Sequence, residues 1–321
     1  MAIAIISHAG DDHAAAVTRA LSARGRTPIL IDTAAFPTRA RLSCSLAGDA
    51  RALSLCVEGE TVDLDALNVI WWRRPQPYAL DPNIDGEVAS FVYNECHEAL
   101  SGAWHSLRAR WVNPPAADEV AHHKPLQLAL ASELGLKIPA TLITNDPAAA
   151  RAFIEERGPE QTVYKTFLAH DGHWRETRVL AGDELALLDC VRLAPVIFQE
   201  FIPASADLRV TVFDQDVRAV EIVTAPGEYP YDYRVALDAV TMRATRLPRP
   251  VKTLLLRLMK RLGLLYGAID LRRTPSGEYV FLEVNPAGEF LFVQERSGED
   301  LTAAMADLLW RLDIDSSAIS P

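Results

Sequence analysis

The chain has little of what would staple, anchor or spread it. Its 321 residues hold four cysteines, Cys44, Cys56, Cys96 and Cys190, none in a CxxC pair, so neither a zinc ribbon nor a disulfide framework is indicated. A reducing, cytoplasmic setting fits that usage. There is no long apolar run: the opening MAIAIIS is too short and too uncharged for a signal peptide, and LLLRLMKRLGLLYGAI is broken by basic residues. No membrane span is expected. Positive charge is outnumbered, with a formal net charge of −11, which argues against general nucleic-acid binding while leaving local basic clusters free to receive an anion. Glycine motifs that cradle phosphate, GxGxxG and GxxxxGK[ST], are missing. Repeats and low-complexity tracts are missing too.

What remains is a soluble globule, 49% hydrophobic, long enough for two or three domains. Residues 1 to 113 alternate strands (Ala2 to Ser7, Pro28 to Asp32, Val69 to Trp72) with helices (from Asp11 to a stop at Gly25, and Asp85 to Leu107), the pattern of a parallel, Rossmann-like sheet. Asn113-Pro114-Pro115 reads as a linker. Short strands and hairpins follow, with packing helices from Pro248 to Leu262 and Glu299 to Leu312.

One stretch resists explanation as ordinary packing: Tyr266 to Asn285, YGAIDLRRTPSGEYVFLEVN. It reads as two strands around a Thr274-Pro275-Ser276-Gly277 turn. With Arg273 opposite Glu278, Asp270 falls opposite Phe281, and Asp270, Phe281, Glu283 and Asn285 share a face. Asp270 is then diagonal to Glu283 at ~7–8 Å, near enough for both carboxylates to reach one ion. Two carboxylates and an amide oxygen suit Mg²⁺ held together with a nucleotide's phosphates. The plain alternative is a solvated hairpin face.

Other residues stand out one at a time. Arg73 and Arg74 end the strand in WWRRP, where ligands of open α/β sheets gather, and suit a carboxylate; surface arginines paired with acids are the alternative. Lys124 precedes Pro125, is expected outside helical geometry at a helix N-terminus, and reads equally as a phosphate ligand or a surface lysine. Lys165 shares a face with Val163 and Phe167, so it needs a negative charge or must snorkel. Gln199-Glu200-Phe201-Ile202 is a polar pair ending an apolar strand, able to offer an adenine edge a donor and an acceptor. With a three-residue loop 214–216, Arg209 falls opposite Glu221 and beside Asp207, suiting charge build-up on a phosphoryl group or a simple cross-strand pair. His122 and His123 have no spaced partner and read as structural or solvated.

In order and approximate spacing, Lys124, Lys165, the Gln199 to Ile202 segment, Asp207-x-Arg209, and Asp270 with Glu283-Val284-Asn285 resemble the ATP-grasp ligases. The resemblance spans the chain and implies an α/β and α+β ATP-grasp fold. An N-terminal Rossmann-like domain (1–113) would precede a central lobe (114–198) and a C-terminal lobe (199–321) clasping ATP. It implies Lys124 and Lys165 on the phosphates, Gln199, Glu200 and the backbone at Phe201 and Ile202 around adenine, and Asp207 near ribose. Mg²⁺ would sit on Asp270, Glu283 and Asn285, with Arg209 as the catalytic cation.

WWRRP, the NPP linker, Ile138-Pro139-Ala140-Thr141-Leu142-Ile143-Thr144-Asn145, DLRVTVF and Asp232-Tyr233-Arg234 further resemble the ATP-grasp ribosomal peptide maturases, the microviridin-type or graspetide synthetases. Tyr233 stands where that family often has tryptophan. The resemblance implies a cytoplasmic peptide macrocyclase whose partner is a ribosomal precursor peptide with its leader. Its Asp or Glu side chains would be activated as acyl phosphates and joined to Ser/Thr hydroxyls or Lys amines, with Arg73, Arg74 and Arg234 holding the acidic side chain. The alternative is another ATP-grasp carboxylate–amine ligase, acting on free amino acids or a protein tail. A homodimer is left open.

Overall fold

Two short runs with no polar residue, IAII and VIWW, build the first sheet, because strands apolar throughout must be covered on both faces. In the computed structural model, which describes residues 2–167, 177–182, 184–225, 227, 229 and 231–317, they are β1 (Ile3–Ile6) and β6 (Val69–Trp72). With β2 (Ile29–Ile31) and β7 (Arg110–Val112) they form a parallel sheet of order β2-β1-β6-β7. Helices α1 (Asp12–Ser22) and α2 (Gly86–Ser106) supply the crossovers, and the Asp11 side chain caps α1 by accepting from the His13 amide. Between them β3 (Ala40–Ala47), β4 (Ala50–Val57) and β5 (Glu60–Asp63) make a separate antiparallel sheet.

After α3 (Pro115–Ala121) and α4 (Lys124–Glu133), a small sheet of order β10-β9-β11-β8 comprises β8 (Thr141–Thr144), β9 (Thr162–Lys165), β10 (Arg178–Val179) and β11 (Val196–Glu200), backed by α5 (Pro147–Arg157). The last sheet is antiparallel, of order β14-β13-β12-β15-β16, from β12 (Ala206–Phe213), β13 (Asp216–Thr224), β14 (Val240–Thr245), β15 (Tyr266–Arg273) and β16 (Tyr279–Asn285). Packed around it are α6 (Arg249–Leu262), α7 (Leu291–Ser297) and α8 (Leu301–Ser317). In α6 the buried Leu255, Leu258, Met259 and Leu262 recur at helical spacing, each burial contributing about 1.5–3 kcal/mol. Gly263, at φ 72°, ends the helix in the left-handed region that glycine occupies at least cost.

The cores do not divide where the sequence suggested. Ile3, Ile5 and Trp71 of the first sheet share one apolar cluster with Phe213, Tyr266, Phe290, Met305 and Leu309. Leu128, Leu130 and Ala131 of α4 pack with Leu255, Leu258 and Phe281, so α4, expected in a central lobe, lies on the C-terminal core. The small sheet has a separate core around Ile154, Leu188 and Phe198, and the expected division at 198 falls inside β11. Asn113, read as linker, is buried and fastens the junction: its Oδ1 accepts from the Leu265 and Tyr266 amides, and its Nδ2 donates to the Tyr266 and Pro286 carbonyls.

Two registers also differ from expectation. The β15–β16 turn is longer, with Arg273 opposite Tyr279, and the ladder slips between Asp270 and Leu271. Leu282 is the extra residue of that bulge, which brings Glu283 directly opposite Asp270 and turns Phe281 into the core. The β12–β13 hairpin closes through two residues, with Asp214 at φ 58°, so Arg209 faces Val220 and Glu221 instead pairs with Arg273. Aspartate tolerates that left-handed conformation, which a tight hairpin turn demands.

Candidate active site

Three neighbouring strands set the centre. Arg209 on β12 lies opposite Asp270 on β15, which lies opposite Glu283 on β16, and Asn285 follows two residues on, opposite Ala268. Asp270, Glu283 and Asn285 therefore share one face. Arg209 grips Asp270 through Nη1, 3.0 Å from each carboxylate oxygen, and donates from Nη2 to the Glu289 carbonyl at 3.1 Å. Its buried Nε has no hydrogen-bond partner among the described residues.

Lys124 reaches the same face from α4. It is the first residue of that helix, not outside it, and its ammonium donates to Glu283 Oε2. Pro125 fits the second helical position because the amide it lacks would have no intrahelical acceptor there. Gln127, one turn on, holds β16 to the helix: it accepts from the Val284 amide at 2.9 Å and donates to the Val284 carbonyl at 2.8 Å. Lys165 comes from the opposite side, on β9.

Except for Arg209, which stands behind Asp270, these groups line a cavity of about 300 Å³ with His122, Asp207, Asp232, Tyr233, Arg234 and Arg272. Burial would raise the Glu283 carboxyl, but Lys124 and Lys165 pull it down to about 2. Burial raises Asp270, with Arg209 opposing and the facing Glu283 adding to the rise; the two-oxygen grip of Arg209 is the arrangement of an ionised carboxylate. Burial lowers the Lys165 ammonium, partly offset by Glu283. Burial also raises the Tyr233 hydroxyl, so it stays protonated. Asp232 holds Arg234 with two oxygens, at 2.8 Å from Nε and 2.7 Å from Nη2. Asp207 is held by Arg272, whose Nη1 donates to the Ile202 carbonyl at 3.0 Å.

Among the described residues that line the cavity, Lys124, Lys165, Arg234 and Arg272 balance Asp207, Asp232, Asp270 and Glu283, and Arg209 adds a further cation behind Asp270. Ammonium and guanidinium groups gathered there suit an anionic ligand. Among the described residues no group of three or more His, Cys, Asp or Glu side chains gathers to hold a metal ion. Two carboxylates and an amide oxygen leave most positions of a hard divalent cation to other oxygens, which phosphates supply. The donor set thus fits a nucleotide and Mg²⁺ together.

Other expected residues lie elsewhere. Gln199 turns into the small sheet, donating to Thr141 Oγ1 at 3.0 Å, and Glu200 accepts from the Ala140 amide at 3.2 Å. Phe201 packs edge-on to Tyr231 at 4.8 Å and under Arg272, so this segment touches the cavity's lining without forming it. Arg73 is a correction: 1% exposed, it donates to Asp11 Oδ2 at 3.2 Å and to the Ala287 carbonyl, which leaves it no surface to meet a substrate. Arg74 is exposed and pairs with Glu289 at 2.8 Å, beside a second cleft. Gln127, Asp232 and Arg272 escape a reading of the sequence because their partners are set by the fold, although Asp232 in Asp-x-Arg could have been read as an arginine holder.

The family model described as the MvdD pre-ATP grasp domain matches residues 2–119. Among solved structures the chain is similar to macrocyclase MdnC bound with precursor peptide MdnA from Microcystis aeruginosa MRC, at 29% identity and TM-score 0.86 over 97% of this chain and 100% of that one. It is similar to macrocyclase MdnB from the same source, at 30% identity and TM-score 0.80 over 96% and 98%. A third is the ATP-grasp ligase PsnB complexed with a phosphomimetic variant of its minimal precursor, Mg and ADP, at 27% identity and TM-score 0.78 over 97% and 98%. No curated protein matches.

Proposed function

Because the chain belongs to the ATP-grasp ribosomal peptide maturases, the microviridin-type or graspetide synthetases, we propose that it is an ATP-dependent macrocyclase of a precursor peptide. The observation that carries this reading is the meeting, in one cavity, of Lys124 on Glu283 and Arg209 on Asp270, with Lys165 and Arg234 beside them. A carboxylate is a poor electrophile, so joining it to a hydroxyl or amine at neutral pH requires a leaving group, which the γ-phosphoryl of ATP provides as an acyl phosphate.

In this reading Lys124 and Lys165 take the phosphates, Glu200 with the backbone at Phe201 and Ile202 takes the adenine edge, and Asp207 lies by the ribose. Asp270, Glu283 and Asn285 would hold Mg²⁺, which would supply neutralisation of the charge on the phosphoryl group. Arg209, fixed by Asp270 and the Glu289 carbonyl, steadies that charge from behind. Arg234, fixed by Asp232, orients the acidic side chain of the peptide, with Arg74 further out. Catalysis of this kind is mostly positional and electrostatic. Short-range pairing of this kind lets a chain of net charge −11 accept an acidic peptide, since distant charge is screened within about 10 Å at 0.1 M salt.

The test incubates the chain with ATP, Mg²⁺ and a candidate precursor peptide from its genomic neighbourhood. The peptide should lose the mass of one water for each link, with one ADP formed per link. AMP with pyrophosphate, or a mass gain from an added amino acid, would assign the chain to another class of ligase.

A further inference from the structure

Among the described residues, every carboxylate that lines the cavity is already held by a cation: Asp207 by Arg272, Asp232 by Arg234, Asp270 by Arg209 and Glu283 by Lys124. A carboxylate so paired is a weak base, and ammonium and guanidinium groups are not bases at all. Yet the second half of the proposed reaction needs one, because a Ser or Thr hydroxyl must lose its proton as it attacks the acyl phosphate.

Among the described lining residues, His122 can take it. It follows the last residue of α3 and faces the same cavity as Lys124, Lys165 and Glu283. Its Nδ1 lies 2.7 Å from the Asp118 carbonyl oxygen and 3.3 Å from Asp118 Oδ2. A carbonyl oxygen can only accept, so Nδ1 carries a hydrogen, and in the neutral ring Nε2 then holds the lone pair. The imidazole is 47% exposed while the Asp118 carboxylate beneath it is 9% exposed, so the anchor is buried and the other ring nitrogen is open to the cavity. No described residue hydrogen-bonds Nε2. His13 shows the contrast, since its Nε2 is occupied by the amides of Phe290 and Leu291. Asp118 Oδ1 is buried with no partner among the described residues, a desolvated position that a purely structural carboxylate has no reason to hold.

We propose that His122 is the general base of the ring-forming step and that Asp118 is its positioning residue. This rests on the macrocyclase reading above. The hydroxyl oxygen forms the new bond to the acyl carbon, its proton passes to His122 Nε2, and the bond from that carbon to the phosphate oxygen breaks, with inorganic phosphate leaving on its electron pair. The imidazolium then returns its proton to solvent. Among the described residues, four cations line the imidazole's cavity, Lys124, Lys165, Arg234 and Arg272, with Asp207, Asp232, Asp270 and Glu283 as their counterweights.

The informative variant is His122→Asn, which keeps a donor toward Asp118 and deletes Nε2. Ring formation should fall by about 10²-fold or more, while hydroxylamine still traps the acyl phosphate at the wild-type rate and the thermal melt is unchanged. His122→Ala should be partly rescued by added imidazole, which also serves if the asparagine variant is unstable. Asp118→Asn, which leaves the backbone acceptor in place, should lower kcat with little effect on KM. A His122→Asn enzyme that closes rings at the wild-type rate overturns the proposal, and so does one that loses hydroxylamine trapping, which would make His122 a nucleotide contact. A wild-type chain whose peptide loses no mass equal to a water would refute the macrocyclase reading instead.

Discussion

Replacing Arg73 with methionine separates a structural arginine from a substrate clamp. The guanidinium is buried against Asp11 and the Ala287 carbonyl, so Arg73→Met leaves the Asp11 charge in an apolar site, a loss of about 3–5 kcal/mol. At about 2–4 °C per kcal/mol for chains approaching this size, the melt should fall by about 6 °C or more. The sign of the pH dependence follows from Asp11. Burial would raise its carboxyl, but the hydrogen bonds from His13 and Ser7 and the charge of Arg73 hold it well below the ordinary range. In the wild type it therefore adds stability above its unfolded pKa of about 3.9, lost as pH falls further. Without Arg73 burial prevails and the carboxyl rises, so the variant's deficit should be largest near neutrality and shrink below about pH 4. Adding Asp11→Asn should recover most of the lost melting temperature. The assay is a set of thermal melts across pH, with peptide KM measured in parallel. A variant that melts like the wild type while its peptide KM climbs would refute the reasoning and restore Arg73 as a substrate contact.

Glu283→Gln should lower Mg²⁺-dependent turnover by about 100-fold; calorimetry showing wild-type, metal-dependent nucleotide binding would remove Glu283 from the metal set. Lys165→Met should raise the ATP KM by about 10–100-fold. Because burial lowers the Lys165 ammonium, the charged form costs stability at neutral pH, so this variant should melt no lower than the wild type there, with any gain fading in alkali; a large drop would show that Lys165 is a structural residue. Gly288→Ala would drive a Cβ into the Ala268 Cβ and place it 3.1 Å from Arg209 Nη2, so denaturant titration should show a loss of about 1–3 kcal/mol, and an unaltered midpoint would contradict the packing of that loop against β15.

How much of this was legible depended on whether the deciding interaction was local. Side-chain alternation was enough to put Asp270, Glu283 and Asn285 on one face. It could not give their register, because the bulge at Leu282 is settled by whether Phe281 reaches the core around Leu128 and Leu258, a fact about residues far away in the chain. Arg209 was marked as a paired arginine, but its partner proved to be Asp270, 61 residues on, not Glu221 across the nearer hairpin. Arg73 misled for the same reason: the acid that buries it, Asp11, caps a helix 62 residues earlier. His122 looked idle because nothing in HHKP announces a buried aspartate one helical turn back.

The separate core of the small sheet has a mechanical consequence. Lys165 stands on β9, whose sheet packs around Ile154, Leu188 and Phe198. Lys124 stands on α4, which is welded to the same frame as Asp270 and Glu283. A swing of the small sheet would carry one lysine and leave the other behind. In such a swing Lys124 would keep its contact with Glu283, and the Lys124 to Lys165 separation would measure how far the small sheet had moved.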